Sequence, residues 1–111
     1  MTQSTNHSIR VMLVDDHRTI LWGLTKLIDG EKPRMEVVGT ATNCTDAIDL
    51  ANRTDPDVIV LDIDLGKQSG IDAIPAFVAR AGTRVLVLTG VRDASLHDQA
   101  VLAGARGVVH K

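Results

Sequence analysis

Two kinds of apolar segment alternate along the chain, and this alternation constrains the fold more than any other feature of the sequence. Short runs rich in β-branched residues are typical of strands buried on both faces, and they centre on Val11, Val37, Ile59, Val87 and Val108. Segments with apolar residues at helical spacing separate these runs. The order βαβαβαβαβ predicts an α/β fold with a five-stranded parallel sheet and helices on both of its faces.

The intervening segments predict four helices. Their apolar positions are Ile20, Leu21, Leu24, Leu27 and Ile28; Ala47, Ile48, Leu50 and Ala51; Ile74, Phe77, Val78 and Ala81; and His97, Ala100, Val101 and Gly104. We expect the second helix to end at Asp55-Pro56, and Pro75 to lie near the start of the third, where its missing N–H costs least. Right-handed crossovers favour a doubly wound, flavodoxin-like sheet with the strand order 2-1-3-4-5.

The length of 111 residues is enough for one domain and too short for two. We predict a polar tail over residues 1–8 and a domain over residues 9–111. A helix would be expected to follow the fifth strand and cover one face of it. Because the sequence stops at Lys111, we interpret it as a fragment truncated at the end of strand 5, with the final helix absent.

Composition excludes several classes of protein. Apolar residues make up 44% and charged residues 23% of the chain, which is typical of a globular domain, and the net charge of −2 gives no sign of a nucleic-acid-binding surface. The single cysteine, Cys44, excludes an internal disulfide. Neither a signal peptide nor an apolar run of about 20 residues is present. We therefore expect a cytoplasmic protein that does not enter a membrane.

Polar residues whose side chains can bind ligands or react follow the predicted strands. Asp15 and Asp16 follow the first strand, Asp62 ends the third, Thr89 ends the fourth and Lys111 ends the fifth. In an open parallel sheet, ligands bind beyond the carboxyl ends of the strands. Strands 1 and 3 are neighbours in the predicted order, so we expect the three carboxylates to converge.

This set of groups suits phosphoryl transfer. Three neighbouring carboxylates repel one another unless a cation is bound, and Mg²⁺ prefers carboxylate, carbonyl and phosphate oxygens. A hydroxyl and a lysine suit the remaining oxygens of a phosphate, while an aspartate can act as a nucleophile and form an acyl phosphate. A single aspartate at a strand end usually belongs to a turn or a helix cap. A role in turns or helix caps does not easily explain polar groups at the ends of four strands.

Four segments resemble the response-regulator receiver domains of two-component signalling, and together they span residues 9–111. They are VMLVDDH, VIVLDIDLGKQSGIDAI, VLVLTG and AGARGVVHK. The DDH and LAGARG segments look most like the NarL/LuxR-type subfamily, whose members carry a C-terminal helix-turn-helix domain that binds DNA. The resemblance implies a phosphoacceptor signalling domain that is not a turnover enzyme. It also implies a sensor histidine kinase as partner, a homodimer, and DNA binding only through a domain absent from this chain.

The resemblance also implies a role for each site residue. Asp62 would accept the phosphoryl group, and Thr89 and Lys111 would each contact a phosphate oxygen. Mg²⁺ would be bound by Asp62, by Asp16 directly and by Asp15 through water. The backbone carbonyl of Asp64 would be a further Mg²⁺ ligand.

Departures from the family pattern affect the relay of the signal more than the phosphorylation itself. Val108 stands where the family usually has Tyr or Phe, which puts the usual aromatic switch in doubt. Gly66 stands where a proline is frequent. Trp22 is expected on the outward side of the first helix near Lys26, either as a partner contact or lying over neighbouring side chains.

Three further interpretations of the sequence stay open. Asp62-Ile63-Asp64 matches the Asp-x-Asp of haloacid-dehalogenase-type phosphatases, in which the first aspartate is the nucleophile and the second the general acid. A flavin- or nucleotide-binding module is less favoured because no glycine-rich loop follows the first strand. His17 either forms a hydrogen bond near the carboxylates or starts the first helix, and we favour the helix start.

Overall fold

A parallel five-stranded sheet forms the centre of the molecule. The computed structural model describes residues 8–65, 68–90 and 93–110. The strands are β1 (Ile9–Val14), β2 (Met35–Ala41), β3 (Val58–Asp62), β4 (Asp64–Leu65), β5 (Gln68–Ser69), β6 (Arg84–Thr89) and β7 (Gly107–His110). Strands β4 and β5 form a short antiparallel pair of their own, and the main sheet has the order β2-β1-β3-β6-β7. The predicted order 2-1-3-4-5 is confirmed, because β6 and β7 are the fourth and fifth strands of the main sheet.

The helices follow the predicted pattern, but the third and the fourth end before the last residues predicted for them, Ala81 and Gly104. They are α1 (Arg18–Asp29), α2 (Cys44–Thr54), α3 (Ile74–Val78) and α4 (Ala94–Ala103). A 3-10 turn over Gly70–Ala73 precedes α3. Within the described ranges, no helix is both long enough and apolar enough to cross a membrane.

Local sequence accounts for the helix ends. Asp55 follows α2 in the left-handed region, with φ 52°, and its N–H donates to the carbonyl of Ala51. Pro75 lies in the first turn of α3, as predicted. The prediction that Ala81 belongs to this helix is wrong, because α3 ends at Val78 and the chain turns through Gly82 at φ 84°. Left-handed backbone of this kind cannot continue a right-handed helix.

The two faces of the sheet carry separate apolar clusters. The larger one packs α2, α3 and α4 against strand residues such as Met12, Leu61 and Val87. The smaller one packs α1 against the opposite face through Leu21 and Leu13. Because successive strand residues point to opposite faces, a strand that serves both clusters has to be apolar at almost every position. This is why the strand sequences read as continuous apolar runs.

The apolar stripe of α1 is only partly buried. Leu21 is buried, whereas Leu27 was expected to be on the same stripe and is 71% exposed. Leu27 lies instead along an apolar groove with Leu24 and Leu88. The helix packs on β1 and β2, whereas the groove lies on the other side, toward Leu88 of β6. Trp22 faces outward as predicted, with the ammonium of Lys26 5.7 Å from its ring centroid.

Candidate functional site

Three carboxylates and one imidazole meet at the carboxyl edge of the sheet. Val14 of β1 is paired with Leu61 of β3, so the next residues of the two strands, Asp15 and Asp62, lie side by side. Both aspartates are 2% exposed. One ligand atom each from Asp15, Asp16, His17 and Asp62 lies within 4.8 Å of all the others. We call the three carboxylates of Asp15, Asp16 and Asp62 the acidic cluster.

His17 contributes its side chain to this site, which is the interpretation that the sequence left open but did not favour. It is the residue preceding α1, as expected, but its side chain forms no capping hydrogen bond. Its ring nitrogen Nδ1 lies 2.8 Å from Asp15 Oδ1 and 3.1 Å from Asp16 Oδ1. The same nitrogen lies 3.7 Å from Asp62 Oδ2. Both interpretations of His17 therefore hold, because the residue starts the helix and its ring faces the acidic cluster.

The segment after β3 contacts Asp62 and fixes its position. The backbone N–H of Asp64 donates to Asp62 Oδ1 over 3.1 Å. The N–H of Gly70 donates to the carbonyl of Ile63 over 2.7 Å, which draws the 3-10 turn against the end of β3. A Cβ atom on Gly70 would collide with the backbone carbonyl oxygen of Asp62. The close approach of this glycine is a feature that sequence reasoning missed.

Thr89 is fully buried at the end of β6. Asp62 is paired with Leu88, so Thr89 lies one residue beyond the position opposite Asp62. In the next strand, Thr89 is paired with His110, whose ring lies 4.8 Å from that of His97 in α4. Lys111, predicted to contact the phosphate, lies outside the described residues.

Val108 and Gly66 are the two positions at which the sequence was seen to depart from the family pattern, and the structure describes only the first of them. Val108 of β7 packs against the larger apolar cluster. Its side chain therefore contributes to the interior on the same face of the sheet as α4. Gly66 lies outside the described residues.

Cys44 is the one cysteine of the chain, and its environment makes it a poor nucleophile. Its thiol lies 3.8 Å from the carbonyl oxygen of Ser69. Burial raises the pKa of this thiol above its usual value of 9.0, and the negative charge of Asp72 raises it further. Since only the thiolate is strongly nucleophilic, this raised pKa lowers the reactivity of the cysteine at neutral pH.

Sequence comparison connects the chain to one family. The model of the response regulator receiver domain matches residues 11–111. The nitrate/nitrite response regulator protein NarP of Escherichia coli is 40% identical over 103 residues, which are 92% of this chain and 47% of NarP. A protein-glutamate methylesterase/protein-glutamine glutaminase of Myxococcus xanthus is also 40% identical, over 97% of this chain and 31% of that enzyme. The chain thus spans less than half the length of both relatives.

Comparison of structures gives the same result. A two-component response regulator of the LuxR family from Aurantimonas has a TM-score of 0.85 at 33% identity, covering 95% of this chain and 75% of that one. A response regulator from Burkholderia pseudomallei has a TM-score of 0.83 at 28% identity, covering 92% of this chain and 59% of that one. The latter structure contains a phosphorylated aspartic acid and a calcium ion. These matches give no support to a haloacid-dehalogenase-type phosphatase.

The contact between Gly70 and Asp62 predicts a position that does not tolerate a methyl group. We expect Gly70→Ala to lower the free energy of unfolding by about 1–3 kcal/mol, because backbone atoms have to move to accommodate the new Cβ. Gly23→Ala in α1 is the control, since no atom lies within 4 Å of the added Cβ. That change should be neutral or stabilise the domain by up to about 1 kcal/mol. Equal urea midpoints for the Gly70 variant and wild type would contradict the packing described here.

The raised pKa of Cys44 predicts slow alkylation. At neutral pH we expect iodoacetamide to react with the folded domain more slowly than with an unfolded cysteine peptide, because less of the thiol is ionised. For the folded domain the rate should rise at a higher pH than for the cysteine peptide, and unfolding in urea should remove the difference. Rapid alkylation of the folded domain at neutral pH, measured by mass spectrometry, would show that this environment does not protect the thiol.

Proposed function

Since this chain belongs to the response regulator receiver domain family, we propose that Asp62 accepts a phosphoryl group from a sensor histidine kinase. The observation that carries this proposal is the position of Asp62, which is 2% exposed at the carboxyl end of β3 and lies beside Asp15. Asp64 orients its carboxylate through a backbone hydrogen bond. The phosphorylated aspartic acid in the Burkholderia pseudomallei regulator gives independent support.

The transfer consists of one substitution at phosphorus. A carboxylate oxygen of Asp62 attacks the phosphorus of a phosphohistidine, and the new P–O bond forms as the P–N bond breaks. The electron pair of that bond stays on the imidazole nitrogen of the kinase. The product is an acyl phosphate on Asp62. This chemistry needs mainly positioning, which the end of β3 supplies for Asp62, and neutralisation of charge, which a bound cation and Lys111 would supply.

A divalent cation fits the acidic cluster. Two of its carboxylates are almost fully buried, and such groups are costly to bury without a compensating charge. Oxygen donors of this kind suit Mg²⁺. We propose that Asp62 and Asp16 bind it directly, Asp15 through water, and Asp64 through its backbone carbonyl. The ion would neutralise negative charge on the incoming phosphoryl group.

Thr89 and Lys111 complete the proposed phosphate contacts. Thr89 ends β6 next to the strand that carries Asp62, so its hydroxyl is well placed to donate to a phosphate oxygen. Lys111 is the residue after the end of β7 at His110, and we propose that its ammonium pairs with another phosphate oxygen. Val108 replaces the usual aromatic residue, so any movement of Thr89 on phosphorylation has to be relayed without an aromatic ring.

The output of the whole protein is proposed from its relatives. The resemblance to NarP and to a LuxR-family regulator favours control of transcription in the cytoplasm through a DNA-binding domain outside this chain, with dimerisation of the regulator. The equally similar methylesterase favours a second candidate, a receiver domain that controls an attached esterase. In both cases the receiver domain itself is a signalling domain. A helix-turn-helix or an esterase sequence elsewhere in the gene product would distinguish the two.

Phosphorylation of the isolated domain tests the role of Asp62. We expect acetyl phosphate or phosphoramidate with Mg²⁺ to add the mass of one phosphoryl group to wild type and none to Asp62→Asn, because the amide cannot form an acyl phosphate. Asp64→Asn is the matched control, since only the backbone of Asp64 is assigned a role. It should be labelled like wild type, as measured by intact-mass spectrometry.

Two results would contradict this assignment. Equal labelling of wild type and Asp62→Asn would place the phosphoryl group on another residue. Release of phosphate over many turnovers, abolished by Asp64→Asn, would instead support the phosphatase interpretation.

Cation binding predicts a gain in stability. Mg²⁺ at about 100 times its dissociation constant should stabilise the folded domain by about 2.7 kcal/mol, which raises the melting temperature by roughly 10 °C. Asp16→Asn should lose most of this gain, because it removes a direct ligand. Asp98→Asn changes an exposed carboxylate on α4 and should keep it. Identical shifts in all three proteins, measured by calorimetry, would exclude the acidic cluster as the binding site.

A further inference from the structure

We propose that His17 is an additional ligand of the divalent cation and shifts the metal preference of the acidic cluster toward ions that favour imidazole, such as Co²⁺. This inference rests on the proposed function, because it assumes a cation among these carboxylates. It concerns a residue to which the resemblance assigned no role.

The distances from the His17 ring to Asp16 and Asp62 fall within the range spanned by ligands of one ion. Nδ1 of His17 lies 2.8 Å from Asp15 Oδ1, 3.1 Å from Asp16 Oδ1 and 3.7 Å from Asp62 Oδ2. Adjacent ligands of a six-coordinate ion with bonds of about 2.1 Å are about 3.0 Å apart, and opposite ligands about 4.2 Å. Relative to Asp16 and Asp62, the two carboxylates proposed as direct ligands, the imidazole nitrogen is therefore at a distance that a further ligand could have. With Asp15, which is proposed to bind through water, it forms a hydrogen bond.

The backbone keeps His17 in this position. Its N–H donates to Asp15 Oδ1 over 2.9 Å, and its carbonyl accepts the N–H of Leu21 over 3.1 Å in the first turn of α1. The residue is thus fixed between the strand end and the helix. Its side chain is 56% exposed, so an ion from solvent can reach the ring.

An imidazole among the carboxylates changes which metal ions the site prefers. Mg²⁺ strongly prefers oxygen, whereas imidazole suits Co²⁺, Ni²⁺ and Zn²⁺. A cluster of carboxylates with one imidazole therefore gains affinity for the second group of ions and gains little for Mg²⁺. If His17 acted only as a positive partner of the carboxylates, it would compete with every cation, and removing it would strengthen the binding of all of them. The two roles thus predict opposite changes in cation affinity when the His17 side chain is removed.

Isothermal titration of the full chain with Co²⁺ and with Mg²⁺, at one pH, tests the proposal. We expect His17→Gln to lower the affinity for Co²⁺ about tenfold or more and the affinity for Mg²⁺ less than about threefold. His97→Gln is the matched control, because it removes a histidine of α4 outside the acidic cluster, and it should bind both ions like wild type. Excess Mg²⁺ should displace the Co²⁺ that His17 helps to bind.

Pulsed electron paramagnetic resonance of bound Cu²⁺, a paramagnetic ion that favours imidazole, supplies a readout of direct ligation. Wild type and His97→Gln should show a ¹⁴N coupling from a coordinated imidazole, and His17→Gln should lack it. Absence of this coupling in wild type would overturn the proposal, as would tighter binding of both ions by His17→Gln.

The inference and the proposed function can fail separately. Phosphorylation of Asp62 with Mg²⁺ in a protein without the ¹⁴N coupling would leave the function intact and remove His17 as a ligand. A protein in which neither Co²⁺ nor Mg²⁺ binds at the acidic cluster would contradict both.

Discussion

The parallel pairing of β1 with β3 is the interaction on which the site depends. It places Val14 opposite Leu61, so the chain delivers Asp15 and Asp62 side by side at the edge of the sheet, each almost fully buried. Two buried carboxylates at this distance are unfavourable without compensating charge or hydrogen bonds. The Asp64 N–H and the His17 side chain lie next to them. A bound cation would relieve this repulsion, which is the reason for proposing one here.

Much of the fold could be predicted because burial on both faces imposes a simple rule on the strands. A strand such as β3 has Leu61 in one apolar cluster and Val60 against the other, so its sequence is apolar throughout and easy to recognise. The strand order then followed from the handedness of the crossovers. Ala81 was assigned wrongly, and Leu27 lies on the predicted stripe but is exposed, for a different reason. Helical spacing identifies a stripe, but the neighbouring strand decides which part is covered, and the turn at Gly82 decides where α3 ends.

The residues of the candidate site could be predicted where they lie at the ends of strands. Asp15, Asp62 and Thr89 each follow or end an apolar strand, so topology alone brings them to one edge. The position of the His17 ring depends on the turn between β1 and α1. Because His17 directly follows Asp15 and Asp16 in the sequence, no residue spacing indicates which way its ring points. The approach of Gly70 to Asp62 likewise depends on the short β4–β5 pair and the 3-10 turn after it, which have no periodicity long enough to detect.

The central claim is that the buried carboxylate of Asp62 holds a phosphoryl group at the edge of the sheet with the help of a cation. A crystal structure of the chain with beryllofluoride and Mg²⁺ tests it most directly, because this group imitates an acyl phosphate. The account predicts beryllium bonded to an Asp62 oxygen, a fluorine within hydrogen-bond distance of the Thr89 hydroxyl, and the cation among the acidic cluster. Beryllofluoride bound at another residue, or a cation bound away from Asp16 and Asp62, would contradict it.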